Sequence, residues 1–378
     1  MPFYVQASPE LRSSFKTFVY SKVPNAKQFS RENKVGYDVL LDYIKGVHAI
    51  PDHLIKKLSG FNGIEMWALL AGEYIKPHAS NNVFLVPTET TPTEANLLGW
   101  IISDGHVGKN VYVSQKDKTC LQLLNKRFQE CFFLSKNRIY PDKACWRLKI
   151  QNTAFAQYLS SKYGIPRGKK AFSVEIPEII KNSGEEVVFA FVCGLLEGDG
   201  SIYSASRRSR RGVYDFPCIS FTSSSFNLLT GLKNLFSVYH IKTTIYSWKK
   251  NFHKRCYKLV VHKAKDCIKI CNKIKKYQVH AIKTKKRELL TSNKELTNIV
   301  RFLSTRNIFK KLVSEHKVPE MVKRMRLDYN YPVSISAARN WAYSFTPPLS
   351  ATICACKILK EDIKKHVPDY MIEELQIT

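Results

Sequence analysis

Apolar residues three and four apart mark four short helical pieces near the start of the chain, "ELRSSFKTFVYSKV", "NAKQFSREN", "YDVLLDYIKG" and "IPDHLIKKLSG", each closed by Gly, Asn or Pro. Residues 72 to 94, "GEYIKPHASNNVFLVPTETTPTE", are instead dense in Pro, Thr, Ser and Asn, the composition of a connector. A longer pattern then occurs twice. Helical spacing over 93–103 gives way to alternation in "VYVSQ", a helix "KTCLQLLNKRFQECF", a hairpin "RIYPDKACWRLKIQ" and a helix "TAFAQYLSSKYG". Helical spacing over 185–198 is likewise followed by the hairpin "SIYSASRRSRRGVYDFPCISFTS", the helix "SFNLLTGLKNLFSVY", the hairpin "TTIYSWKKNFHKRCYKLVVH" and the helix "KDCIKICNKI". From about Lys283 onward the pattern is helical and basic.

The expected fold is α+β: two pseudo-symmetric αββαββα modules over 93–180 and 181–283, flanked by small all-α modules. A helix-turn-helix-like domain is expected over 1–64, a linker over 65–92, and a helical extension, a candidate for DNA binding, over 284–378. Composition fits several folded cores, with 44% hydrophobic and 12% aromatic residues excluding global disorder. Sixty Lys and Arg against 31 Asp and Glu leave +29, spread from Arg12 to Lys365, the balance of a protein that presents broad surface to a polyanion. Charge names nucleic acid as the leading partner and no chemistry. The 10 cysteines lack CxxC pairs, which argues against a zinc ribbon or redox motif and for reduced thiols. No basic-then-apolar leader opens the chain and no eighteen apolar residues run together, so an intracellular location without a membrane span is expected.

The chemistry lies in the ends of the two repeated helices. "LLGWIISDG" (97–105) and "VCGLLEGDG" (192–200) superimpose residue by residue. An acid in the last helical turn is unfavourable by roughly 0.3–1 kcal/mol, and a helical Gly costs about 1 kcal/mol relative to Ala, so the pattern needs an offsetting cause. Gly99 with Ser103 and Gly194 with Gly198 fall four apart on one helix face, where small residues let two backbones approach closely. Gly105 and Gly200 are expected to take left-handed caps. Asp104 and Asp199 then come side by side, and two carboxylates so placed call for a shared cation, with hard oxygen donors favouring Mg²⁺.

These motifs resemble the LAGLIDADG homing endonucleases in their monomeric, two-motif form, over residues 93 to about 283. The resemblance implies site-specific, metal-dependent hydrolysis of double-stranded DNA at a long target site, with Mg²⁺, or Mn²⁺ in its place. It puts Asp104 and Asp199 on the metals, joined by backbone carbonyls at Ser103 and Gly198. Gln115, in "VYVSQKD", corresponds to a residue that orders water in the family, Ser223 stands at the matching place of the second module, and Lys170 and Lys283 correspond to active-site lysines; solvated lysines would give the same pattern. A saddle of antiparallel sheet in the major groove is implied, with candidate contacts at Lys109, Tyr112 and Arg147 in the first module. The second module offers Tyr203, Arg207, Arg208, Arg210, Arg211, Lys249, Lys250, Lys254 and Arg255, most of them suited to phosphates. In the N-terminal domain, Phe29, Ser30, Gly36, Leu40 and Ile44 stand at the spacing of a Cro-repressor-like helix-turn-helix, placing Tyr37 and Lys45 on or beside a recognition helix. Two rivals stay open: an RNA intron maturase, and a DNA-binding transcription regulator that does not cut. Intact Asp104 and Asp199 argue against the second.

Overall fold

The computed structural model describes residues 3–22, 25–78, 81–209, 212–251, 254–280, 283, 301–302, 305–343 and 345–367, with only the backbone described at 204, 206–209, 212–216, 249–251, 254–255, 264 and 301–302. The chain forms two compact units, residues 1–199 with 225–228, and residues 200–224 with 229–378.

The first unit begins with strand β1 (Phe3–Gln6), helices α1 (Pro9–Lys22), α2 (Ala26–Glu32) and α3 (Tyr37–Lys45), strand β2 (Ile50–Pro51), helices α4 (Asp52–Asn62) and α5 (Met66–Leu69), and strands β3 (Tyr74–Pro77) and β4 (Phe84–Leu85). Asn25 caps α2 by accepting from the Gln28 amide, and Gly46 ends α3 at φ 81°. The four strands pair antiparallel in the order β2-β1-β3-β4, so this region is not all-α. Its strands are two to four residues long, too short for alternation to register, and β1 finds β3 only across the helices.

Residues 65–92 are likewise no linker. Glu73 is buried and accepts from the Ser8 amide at 2.8 Å, while the Gly72 amide donates to the Val86 carbonyl at 2.8 Å. Buried Asn82 accepts from the Lys136 amide at 3.1 Å, and its carbonyl accepts from Asn152. The polar residues that suggested a connector are used inside the fold, and Trp67 packs edge-on against Tyr158 at 5.1 Å.

The first repeat follows as α6 (Pro92–Ser103), β5 (Gly105–Val107), β6 (Val111–Gln115), α7 (Lys118–Phe132), β7 (Asn137–Asp142), β8 (Cys145–Ile150) and α8 (Thr153–Tyr163). Thr91 caps α6 and Pro92 occupies its first turn. The sheet is antiparallel in the order β5-β6-β8-β7. Val111, Val113, Leu148 and Ile150 are fully buried on one face, and Tyr112, Ser114, Arg147 and Lys149 alternate with them on the other. At the N-terminal end of α6, Glu94 is buried and accepts from the Tyr158 hydroxyl at 2.8 Å and from Tyr163; burial pushes its carboxyl above the usual range.

Helix α10 (Glu185–Gly198), preceded by the short α9 (Glu178–Lys181), lies in the same unit and packs along α6. The two backbones touch at their glycines: a Cβ on Gly99 would lie 2.8 Å from the Leu195 nitrogen, and one on Gly194 would lie 2.9 Å from the Trp100 nitrogen. Asn96 on α6 donates to the Ala190 carbonyl on α10 at 3.1 Å.

The second unit carries β9 (Gly200–Ser209), β10 (Gly212–Ser223), most of α11 (Phe226–Val238), β11 (Thr243–Asn251), β12 (Lys254–Val261), α12 (Ala264–Ile274) and β13 (Arg301–Phe302). With α10, the second repeat also reads αββαββα. Its sheet runs β11-β12-β10, with β9 and β13 both paired to β10. Phe221 on β10 meets Phe236 on α11 at 5.9 Å beneath the sheet. Helices Arg306–Glu315, Val318–Leu327, Ile335–Tyr343 and Leu349–Leu359 form a separate core around Phe309, Leu312, Met321, Met325 and Ala355, with Trp341 edge-on to Phe309 at 5.4 Å. No described helix is long and apolar enough to cross a membrane.

Because the Gly99 and Gly194 contacts are to backbone, no rotamer change relieves an added methyl. Gly99→Ala and Gly194→Ala are each expected to lower stability by about 1–3 kcal/mol, as overpacking does, although Ala is the better helix former. Urea denaturation of the two variants measures this; an unchanged midpoint would show that the helices are not in backbone contact.

Candidate functional site

Asp104 and Asp199 are themselves the residues that end α6 and α10. Asp104 sits at φ −90°, ψ 1° with its amide donating to the Trp100 carbonyl, and Asp199 sits at φ −88°, ψ 0° with its amide donating to the Leu195 carbonyl. This corrects the expected left-handed glycine caps, since neither Gly105 nor Gly200 has positive φ. Gly105 is needed for another reason: a Cβ there would lie 2.6 Å from the Ile101 carbonyl oxygen as the chain leaves the helix and enters β5 at once. The bridge-region cap leaves the aspartate as the last side chain of each helix.

The two helix ends converge. A Cβ on Gly198 would clash with the Ser103 side chain and lie 3.2 Å from Asp104 Oδ2, so Gly198 sits directly beside the Asp104 carboxylate. Both aspartates act on one ammonium: burial lowers the Lys170 pKa to about 8, against the opposing pull of Asp199 and Asp104. Lys170 Nζ donates to the final carbonyls of α6, Ile101, Ile102 at 2.5 Å and Ser103 at 3.2 Å. The cation thus offsets the negative helix end that the motif alone leaves unexplained. Lys170 is no solvated surface lysine. The Ser103 carbonyl, expected among metal donors, is shared with this ammonium. Glu197, two residues before Asp199 in the last turn of α10, is buried and points back along the helix, accepting from Cys193 Sγ at 3.8 Å.

Gln115, at the end of β6, donates through Nε2 to Asp104 Oδ2, fixing that carboxylate. The registers locate its counterpart. Gly105 faces Val113, two residues before Gln115, and Gly200 faces Phe221, two residues before Ser223. Gln115 pairs with Trp146 on β8 and Ser223 with Tyr257 on β12. A shorter hydroxyl therefore replaces the amide in the second module. In the second unit, Lys283 Nζ donates to the Gly200 carbonyl at 2.8 Å, next in the chain to Asp199.

The donors suit a hard cation. Two carboxylates and backbone carbonyls are oxygen ligands, and no group of three or more His, Cys, Asp or Glu able to hold a metal occurs among the described residues. A cation here would take its remaining ligands from water or phosphate, as Mg²⁺ does. Asp104 and Asp199 are the residues that would hold it.

The DNA-contact candidates divide. Tyr112 and Arg147 share the polar face of the first sheet, with Arg147 5.6 Å above the Tyr112 ring and paired to Asp142 at 2.5 Å; Lys109 is exposed in the β5–β6 turn. The same face carries Arg138 and Lys149, directly paired across β7 and β8; neither was among the expected contacts, although strict alternation from Arg147 points to Lys149. In the second sheet, Tyr203 lies under Lys258 Nζ at 4.6 Å. Arg210 and Arg211 lie outside the described residues, as do the side chains of Arg207, Arg208, Lys249, Lys250, Lys254 and Arg255. In the N-terminal region α2, the turn through Val35 and Gly36, and α3 stand as expected; only Leu40 of α3 is buried, and Tyr37 and Lys45 are exposed.

Comparison with known proteins bears on this arrangement. Residues 186–300 match the LAGLIDADG-like domain. The match begins within α10, and the module from α6 to α8 repeats the element order of the matched region. An A-type ATP synthase protein of Pyrococcus abyssi is 31% identical over 107 residues, 28% of this chain and 10% of that protein. The isomerizing glutamine-fructose-6-phosphate aminotransferase of Methanocaldococcus jannaschii is 24% identical over 170 residues, 44% of this chain and 15% of that protein. This chain spans only those small fractions of the curated relatives' length. Among solved structures, mesophilic variants of the homing endonuclease I-DmoI match at 16% identity and TM-score 0.35, covering 50% of this chain and 97% of theirs. The N-terminal LAGLIDADG domain of DUF199/WhiA matches at 14% identity and TM-score 0.32, covering 50% and 84%.

Lys170→Ala is expected to cost about 1.5–3 kcal/mol of stability, because a charged donor is lost and buried helix-end carbonyls are left unpaired. A solvated lysine would cost under about 0.5 kcal/mol. Urea midpoints of the wild type and variant at neutral pH separate the two.

Proposed function

We propose that the chain is a metal-dependent DNA endonuclease that hydrolyses both strands of a long duplex site. The observation that carries this reading is the pair of helix-ending aspartates, Asp104 and Asp199, brought together by two helices in backbone contact, with the half-buried Lys170 ammonium on the last carbonyls of α6 in the field of both. A structural ion pair would need one acid for one lysine. Here two acids converge, and Gln115 holds one of them through its amide.

Each residue has a distinct task in this reading. Asp104 and Asp199 hold divalent cation, Mg²⁺ with Mn²⁺ able to substitute, which when bound polarises the scissile phosphoryl group and lowers the pKa of an attacking water. Gln115 keeps the Asp104 carboxylate in a single orientation. Lys170 holds the end of α6 and keeps positive charge beside the place where phosphate charge develops, and Lys283 binds the backbone next to Asp199 in the second module. The polar sheet faces, with Tyr112, Arg138, Arg147 and Lys149 in the first module, carry the contacts to duplex DNA, chiefly to phosphates. α3 of the N-terminal region adds a second reader through Tyr37 and Lys45.

Asp104→Asn and Asp199→Asn are each expected to reduce cleavage at least on the order of 10³-fold while leaving duplex affinity within a few-fold, since one lost charge-stabilising group already costs 10²–10³. Incubation with a randomised plasmid library and Mg²⁺, with sequencing of cut ends, reads both the activity and the site. Cutting by either single variant at the wild-type rate would overturn the assignment; binding without cutting by the wild type would favour the regulator.

Duplex binding is further expected to weaken steeply with salt, with log affinity falling by about 0.9 per unit log salt for each phosphate neutralised. Anisotropy titrations between low and physiological salt measure the slope, and a slope near zero would remove nucleic acid as the partner.

A further inference from the structure

The separate helical core near the end of the chain has a face that the proposed chemistry leaves unused. In its Ile335–Tyr343 helix, Ala338 and Ala342 are fully buried, and the Trp341 ring lies edge-on to Phe309 at 5.4 Å and 6.4 Å from the Tyr331 ring. With those positions committed to the core, Ser336, Arg339, Asn340 and Tyr343 fall three and four apart on the outward face, and all four are exposed. The helix carries no acid, and the side chains of Arg339 and Asn340 make no hydrogen bond or ion pair among the described residues. Its start is fixed from both sides. Ser334 accepts from the Ala337 amide at 3.1 Å, and Arg326 of the neighbouring Val318–Leu327 helix donates to the Val333 carbonyl at 2.8 Å. An open cleft of about 520 Å³ lies between these two helices, its polar wall formed by Lys323, Arg326, Ser334 and Ser336, and no acid lines it. Residues 306–365 carry twelve Lys and Arg against five Asp and Glu.

An exposed helix held by its back, with cations along one flank, matches a groove walled by phosphates. The major groove of duplex DNA admits one α-helix, and the short side chains of Ser336 and Ala337 let this one approach the base edges. Arg and Asn have the two-pronged geometry that fits guanine O6 and N7 and adenine N6 and N7. An acidic protein surface would pair with the cations and leave the Asn340 amide without a role. We propose that the Ile335–Tyr343 helix reads duplex DNA in the major groove, Arg339 on a guanine and Asn340 on an adenine, with Lys323 and Arg326 on the flanking phosphates. The proposal rests on the duplex-binding part of the endonuclease reading and on none of its metal chemistry. It adds a reader of base edges to sheet faces that chiefly meet phosphates.

The test selects duplexes from a randomised library with the full-length protein in EDTA, so that the DNA stays whole. Affinity is then measured for the recovered consensus and for a scrambled duplex. Arg339→Ala is expected to lose a guanine preference and Asn340→Ala an adenine preference, at neighbouring positions of the consensus, with the remaining positions unchanged. Each variant should bind the wild-type consensus roughly 5–150-fold more weakly, the worth of one two-pronged base contact. Asn340→Ala should leave affinity for the scrambled duplex unchanged, and Asn340→Gln, which keeps an amide, should retain part of the adenine preference. Lys323→Ala should instead weaken both duplexes alike and lower the salt slope by about 1. An unchanged consensus in the Arg339→Ala/Asn340→Ala double variant would overturn the proposal, as would equal loss on both duplexes in Asn340→Ala or the absence of any consensus with the wild type. Tighter binding of double-stranded RNA, whose deep and narrow major groove shuts out these side chains, would overturn it too. Absent cleavage with both base preferences intact counts against the endonuclease reading alone; cleavage with an unchanged consensus in the double variant counts against this proposal alone.

Discussion

The backbone contact between α6 and α10 is the constraint on which the candidate site depends. At Gly99 and Gly194 the two helices approach until neither has room for a methyl group, and one turn on, Gly198 lies against Ser103 and Asp104. Close approach at the glycines fixes the separation of the helix ends, and the helix ends carry Asp104 and Asp199. Small residues that weaken each helix locally are thus what bring its terminal acid to the other. Lys170 completes the arrangement from outside the pair by satisfying the last carbonyls of α6, an interaction favoured by the negative helix end.

Much of this was legible because the repeat carries its own control. Two segments with the same small-residue spacing and the same acid before the final glycine constrain one another, and both helices and both αββαββα orders stand as the pattern gave them. The conformation of the cap was not legible. A glycine after a helix suggests a left-handed turn, whereas here the aspartate makes the turn and Gly105 avoids a clash with Ile101, a steric relation that depends on the chain reversing into β5. Lys170 could not be told from its many lysine neighbours either, because its distinction lies in burial against carbonyls about seventy residues away in sequence.

The misreading of residues 65–92 has a related cause. Composition reports how polar a segment is and nothing about where its hydrogen bonds go. Glu73 and Asn82 look like solvent-facing loop residues, yet each satisfies backbone groups in distant elements, which holds β1 to β4 and the first module in one unit. The helix-turn-helix-like α2 and α3 are accordingly part of a mixed α/β region rather than a bead on a flexible tether. Edge strand β11 shows the opposite case: alternation was visible in "TTIYSWKK", but the exposure of Tyr246 and Trp248 follows only once Ile245 is set opposite buried Leu259.

The central claim is that Asp104 and Asp199 form one cation site, and the most direct measurement replaces Mg²⁺ with Fe²⁺ in the presence of plasmid DNA, hydrogen peroxide as oxidant and ascorbate to recycle the iron, then maps polypeptide scission by mass spectrometry. Radicals generated at the bound metal cut the nearest backbone. The account predicts paired scission around residues 103–105 and 198–200, lost together when excess Mg²⁺ competes. Scission at only one of the two positions, or at neither, would contradict it.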